Sequence, residues 1–239
     1  MSETPPSASA SVTSSRWEDF IDVFIAPAQL FRRRGDGKFG HALIVLIVVI
    51  GVVFFLTRNA MQPIMDAEFQ RSMAANPRVT PEQLETARKF AASFAPVFVI
   101  ISIPIVAFVL GAVIWLVARI VGGRINYAQS ATIATFAYFP RALEWIANGV
   151  QALLMDEAKL TSRFSVSLGL GRLLDPTKTS GALLAVLGRV DLFTLWITVL
   201  IAVGLKQMTR ITTGQAIGGA ALVWLIGALP TLFQALRAG

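Results

Sequence analysis

Residues 131–150 read ATIATFAYFPRALEWIANGV, and the fold turns on how this stretch is read. It lies inside a long apolar segment, yet Arg141 and Glu144 stand in its middle, directly after Pro140. A charge at bilayer depth costs at least about 2.5–3.5 kcal/mol on insertion scales, so it faces the protein interior and takes a partner. Arg141 and Glu144 are three residues apart, which puts them on one helix face and lets them pair. Tyr138, one turn earlier, belongs to the same polar group. Pro140 supplies no backbone donor and is expected to kink the helix, leaving a carbonyl for Arg141 or a neighbouring helix to satisfy. Two readings follow. One is a ligand or ion site at membrane depth. The other, preferred because nothing nearby looks catalytic, is a structural ion pair that fixes how this helix docks on its neighbours.

The surrounding composition supports a membrane setting. The chain has 239 residues, 55% hydrophobic and 15% charged, with a mean hydropathy of +0.66. Soluble domains carry about 25% charged residues. The formal net charge of +7 is expected to reflect basic flanks beside anionic lipid headgroups and not a nucleic-acid partner. The absence of cysteine excludes disulfides, thiolate metal sites and cysteine nucleophiles. The single histidine, His41, cannot form a histidine cluster and reads as a headgroup-level polar residue. No metal and no cofactor is expected.

Five apolar segments divide the chain into an all-α integral membrane protein, expected as a bundle of five transmembrane helices over residues 39–236. Residues 1–15, rich in Ser, Thr, Pro and Ala, are expected to be a disordered tail, and the first apolar helix to act as an uncleaved anchor. In residues 16–38, Trp17, Phe20 and Phe24 share a face with other apolar side chains, followed by Arg32, Arg33 and Arg34. This pattern predicts an amphipathic helix lying in the membrane interface, divided in two at Pro27.

The predicted spans are residues 39–57, 94–121, 127–154, 190–206 and 214–236, long enough in four cases for a helical crossing. Thr80-Pro81-Glu82-Gln83 predicts a capped helix start that leads into the second span. That span is longer than a bilayer requires and carries Pro96 and Pro104, the latter a second expected kink. The apolar core of the fourth span is short, and Asp191 at its start is a candidate partner for Arg141 if the helix begins early. Residues 181–190 suggest an interfacial or re-entrant piece. Gly214 and Gly218 form a GxxxG pattern in the fifth span, and Gly219 and Gly227 add further small residues, all expected to let helices pack closely. The Arg32, Arg33, Arg34 and Lys38 cluster ahead of the first span places the N-terminus inside and the C-terminus outside.

Three stretches carry a family resemblance: DVFIAPAQLFRR before the first span, FAYFPRAL in the third and GRVDLFTLWITVLIAVGLK in the fourth. They resemble the YIP family (Ypt-interacting, Yip-one domain) of five-span membrane proteins, over roughly residues 22–236. The short tail and the spaced loop after the first span look like its prokaryotic branch. The resemblance implies a bacterial cytoplasmic (inner) membrane location, a cytoplasmic N-terminus and an outer C-terminus. Eukaryotic relatives are associated with Rab-type GTPases, through an Asp-Leu-x-Gly-Pro motif and a Gly-Tyr-x-x-x-Leu motif. The first is absent here, and Ala137-Tyr138 stands where a Gly-Tyr would, with Leu143 one residue past the expected leucine. A GTPase partner is therefore doubtful for this chain.

The function expected is a non-enzymatic protein that organises membrane lipids, protein partners or further copies of itself. The alternative is a small transporter, channel or lipid-translocating protein using the polar site around Arg141, since transport sites combine broken helices with buried charges. HExxH, Gly-x-Ser-x-Gly and paired intramembrane aspartates are all missing, which argues against an intramembrane enzyme.

Overall fold

Threonine or asparagine three residues before a glutamine is the start signal for three of this chain's helices. In the computed structural model, which describes residues 17–74 and 80–238, the Thr80 hydroxyl accepts from the Gln83 amide and the Gln83 side chain accepts from the Thr80 amide. The same reciprocal box forms at Asn126–Gln129 and at Thr212–Gln215. Each box satisfies two donors that a helix start otherwise leaves open. The helices are α1 (Glu18–Ile25), α2 (Pro27–Arg33), α3 (Gly40–Thr57), α4 (Gln62–Ala74), α5 (Pro81–Ile120), α6 (Tyr127–Ala137), α7 (Pro140–Leu154), α8 (Gly181–Leu187), α9 (Leu192–Met208) and α10 (Thr213–Ala238). The tail expected over residues 1–15 lies outside the described residues.

At the centre sits α6. Every residue from Ser130 to Ala137 is buried, which is unusual for a helix this rich in Ser and Thr. Its hydroxyls are satisfied within the helix: Ser130 donates to the Tyr127 carbonyl, Thr132 to Ala128 and Thr135 to Ala131, each at 2.8 Å. Small residues let its neighbours close in. A Cβ on Gly111 of α5 would stand 3.1 Å from the Ala131 Cα, and one on Gly204 of α9 would stand 2.7 Å from Ile133. This is the small-residue packing of membrane helices, where lipid supplies no hydrophobic drive and close backbone approach does.

Around that core the outward faces are apolar. Ile44, Val48 and Val52 on α3, Val97, Ile101 and Ile105 on α5, and Ile217, Leu225 and Leu229 on α10 are all more than half or nearly half exposed. Soluble monomers do not present apolar surface on that scale.

The helices Gly40–Thr57, Glu85–Ile120 and Thr213–Ala235 are long and apolar enough to cross a membrane, three among the described residues against the five expected. The third apolar segment, expected as one helix over residues 127–154, is two helices separated at Tyr138 and Phe139. The fourth is α9, with 17 residues and a length of about 25 Å. In contrast, α5 runs 40 residues without interruption through Pro96 and Pro104, a length of about 60 Å.

The GxxxG glycines do not make the close contacts expected of them. A Cβ on Gly218 would meet nothing within 4 Å, and one on Gly214 only the Thr212 hydroxyl at 4.0 Å. Gly219, one residue on, faces Leu205 of α9 at 3.2 Å and Val117 of α5 at 3.5 Å. The inward face of α10 is Ala216, Gly219, Ala220 and Val223, and Gly214 and Gly218 lie on the outward one.

The N-terminal segment, expected flat on the interface, is an antiparallel pair of short helices packed along α9. Arg33 donates to Asp19 at 2.6 Å and to Asp22 at 2.6 Å, and Arg34 donates to the other Asp19 oxygen at 2.6 Å. These pairs clamp the end of α2 to the start of α1, so the basic residues bond within the protein. Phe20 packs on Phe139 and Phe24 on Trp196, with ring centres 5.4 and 5.6 Å apart. At the other end Arg32 donates to Gln207. Trp196 and Gln207 are eleven residues apart on α9 (207 − 196), about 16 Å of helix rise. The turn of the pair at Ala26 is therefore displaced along α9 from its base. Trp17, Ile21 and Ile25 form the exposed face, and Val23, Leu30 and Phe31 the buried one.

Candidate functional site

The break between α6 and α7 has a simple local cause. Pro140 lacks a backbone N–H and fits the first position of a helix, where no donor is needed. The chain therefore ends α6, turns through Tyr138 and Phe139, and restarts with Pro140 at the head of α7. The Arg141 and Ala142 amides donate to Tyr138 and Phe139 across the turn, both at 3.0 Å. Pro140 begins a helix here; it does not kink a continuous one.

Restarting at Pro140 gives α7 two faces. Arg141, Glu144, Asn148 and Gln151, spaced i, i+3, i+7 and i+10, make a polar stripe. Leu143, Ile146, Val150 and Leu153 are exposed on the other side. Within the stripe Arg141 pairs with Glu144 and lies over the Tyr138 ring, 5.8 Å from its centre. It also reaches the Thr194 hydroxyl of α9 at 3.4 Å. The side chains of Arg141 and Glu144 are only 23% and 19% exposed. At that burial, stranding one member of a pair costs about 3–5 kcal/mol.

Asp191 is at the same junction, but it has another task. Its carboxylate accepts from the Phe193 and Thr194 amides at 3.0 and 2.9 Å and caps α9. Its backbone bridges to Gly169, where an added Cβ would stand 2.6 Å from the Asp191 Cβ. Arg141 contacts this cap through Thr194 and makes no direct pair with Asp191, contrary to the long-range partnership considered from the sequence.

A second arginine completes the junction. Arg189 stands two residues before the cap, within electrostatic range of Arg141 and Asp191. It lies over the Trp224 ring of α10 at 5.6 Å and donates to the Trp224 carbonyl at 3.3 Å. Among the described residues it has no carboxylate within salt-bridge distance, unlike Arg141. Four buried polar atoms here and along α7 have no protein partner: Nε of Arg141, Nε of Arg189, Nε1 of Trp224 and Oδ1 of Asn148. Gln151, further along the stripe, donates to the Val166 carbonyl at 2.7 Å and accepts from Arg172 at 2.8 Å. It thereby ties the long connection after α7 back to the bundle.

Sequence reasoning found Arg141, Glu144, Tyr138 and Asp191, and the structure gathers all four at the meeting of α7 and α9. It did not find Arg189, Asn148, Gln151 or Trp224. The polar spacing along α7 was available as a signal once the helix is known to restart at Pro140. Nothing in the sequence pairs Arg189 with Trp224, 35 residues away. Among the described residues, no group of three or more His, Asp or Glu side chains is placed to hold a metal ion.

The family model for the Yip1 domain matches residues 21–233, and with them α2, the α6–α7 break and the arginine junction. The chain belongs to the Yip1 domain family. It is also similar to the Membrane protein YknW of Bacillus subtilis (strain 168), 24% identical over 227 residues, covering 94% of this chain and 93% of that protein. No solved structure matches. This chain is accordingly a Yip1-family membrane protein, similar to a membrane protein of a bacterium.

Proposed function

We propose that this protein is a non-enzymatic organiser of the membrane, holding lipids, protein partners or further copies of itself. In this reading the chain crosses the bacterial inner membrane five times, with the N-terminus cytoplasmic and the C-terminus outside. α6 and α7 together make the third crossing and α9 the fourth, and the α1–α2 pair dips into the cytoplasmic leaflet along α9. The observation that carries the reading is how the inner charges are used. Arg141 is bonded to Glu144, Asp191 to a helix start, and Arg33 and Arg34 to Asp19. Arg33 and Arg34 tie α2 to α1, Arg141 reaches Thr194 of α9, and groups engaged in this way are not poised as a base or nucleophile. A GTPase partner stays doubtful in this reading, because the Asp-Leu-x-Gly-Pro motif is absent.

One observation favours a second reading, a transporter or lipid-translocating protein. It is Arg189, which has no carboxylate partner among the described residues, with the orphan donors of Arg141 and Trp224, since charged residues at membrane depth mark substrate paths. Purified protein in liposomes separates the two. An organiser leaves ion gradients and labelled phospholipid asymmetry as stable as in empty liposomes. Flux or lipid scrambling above that background, abolished by Arg189→Gln, overturns the organiser reading.

A further inference from the structure

A cavity of about 140 Å³ opens where the α1–α2 pair, the start of α3 and α6 meet, lined by Asp19, Phe20, Arg34, Lys38, His41 and Phe136, among others. We infer that it is a headgroup site for an anionic phospholipid of the leaflet that holds the N-terminal helix pair, with Arg34, Lys38 and His41 around the phosphate.

Three observations converge on that ligand. The first is size. The space is that of four to five waters at about 30 Å³ each, too small for a drug-sized molecule and on the scale of one phosphate group. The second is charge. Asp19, the one acid in the lining, is held by Arg33 on one oxygen and by Arg34 on the other, and Arg33 also bonds Asp22, so two arginines balance two carboxylates and the lining's surplus positive charge is left to Lys38. Lys38 and His41 then present donors to an incoming anion, beside the Arg34 guanidinium that holds Asp19. Lys38 reaches only Asp36, at 3.4 Å on an 80% exposed side chain, an attachment weak enough to exchange. Gly40 and Ala42 at the head of α3 also line the space, and no side chain caps that start, so its amides add further donors.

The third observation distinguishes a lipid from a free phosphate. His41, Ile44 and Val48 share one exposed face of α3 at i, i+3 and i+7, and Trp17, Ile21 and Ile25 share one exposed face of α1 at i, i+4 and i+8. The Trp17 and His41 rings touch edge to face, 5.9 Å between centres, so both apolar tracks start at the mouth of the cavity. A phosphate seated between Arg34, Lys38 and His41 leaves its acyl chains along these tracks. Basic pockets at the ends of transmembrane helices take lipid headgroups in this way.

The inference adds a ligand class to the organiser reading. It is tested on the full-length protein in detergent, by titration with dioctanoyl phosphatidylglycerol, dioctanoyl phosphatidylcholine and inorganic phosphate, followed by native mass spectrometry and thermal melting. Phosphatidylglycerol is expected to bind and raise the melting temperature, with the other two at least about tenfold weaker. Lys38→Gln with His41→Gln, both at exposed positions, is expected to lower phosphatidylglycerol affinity about tenfold, equivalent to about 1.4 kcal/mol. Arg210→Gln, an exposed basic residue past the end of α9, is expected to change nothing. Unchanged affinity in the Lys38/His41 variant overturns the site, and so does an equal loss in Arg210→Gln, which would mean general surface charge. Inorganic phosphate binding as well as the lipid overturns the lipid assignment. Flux in liposomes with intact headgroup binding rejects the organiser reading alone.

Discussion

At the scale of single residues, the two arginines of the α7–α9–α10 junction should behave oppositely. Arg141 has a buried carboxylate partner and Arg189 has none within salt-bridge distance among the described residues. Arg141→Met leaves Glu144 buried and unpaired, with an expected loss of about 3–5 kcal/mol. Adding Glu144→Gln removes the stranded charge, so the double variant should recover part of that loss in detergent melting. Near-additive losses would mean that the two side chains do not interact, and a well-folded Arg141→Met would defeat the structural role altogether. Arg189→Gln strands no paired acid and should stay within about 1 kcal/mol of the parent. A large loss there would reveal that Arg189 is neutralising the buried Asp191 cap.

At the scale of elements, α10 offers a test of two glycines side by side. Leucine at Gly219 must fit against Leu205 and Val117, already at 3.2 and 3.5 Å from a bare Cβ, and overpacking of that kind costs about 1–3 kcal/mol. Leucine at Gly218 projects into open space and should leave melting unchanged or raise it slightly, since it also relieves the backbone entropy of glycine. If the two variants melt alike, the assignment of the inward face is wrong. The sequence pattern pointed to Gly214 and Gly218 because GxxxG reports spacing and not direction around the helix. The capping box at Thr80 and Gln83 was legible because the two residues lie only three apart in the chain. The same local pattern at Asn126 and Thr212 was equally readable but is masked by the apolar runs that follow. The α1–α2 pair was harder. Its apolar periodicity fits lipid and protein equally, and only the tertiary contacts of Phe20 with Phe139 and Phe24 with Trp196 separate the two. Ser in place of Phe20 and Phe24 should therefore lower the melting temperature as well as weaken membrane contact. Quenching that changes while melting stays fixed would return the segment to the interface alone.

At the scale of the whole molecule, the five crossings proposed above must be built from the ten α-helices among the described residues. Three helices are long and apolar enough by themselves. α9, with 17 residues and about 25 Å of length, crosses if the bilayer thins or the headgroup level dips around Asp191 and Arg189. The third segment crosses only if α6 and α7 act as one unit despite the break at Tyr138. Their contacts favour that, since Ile133 of α6 lies against Gly204 of α9 and Arg141 of α7 reaches Thr194. Moving from 133 to 141 on one chain accompanies moving from 204 to 194 on the other, the relation of two antiparallel neighbours. Basic residues at the short connections, Arg119, Arg124, Lys206 and Arg210, then fall on the side of the Arg32–Arg34 cluster, as positive-inside bias requires. Reporter fusions after Glu68 and after Thr177 should both report the outer side, and one after Arg124 the cytoplasmic side. Should Thr177 report the cytoplasm while Glu68 stays outside, α6 and α7 turn back within the bilayer, and the molecule makes fewer crossings than five.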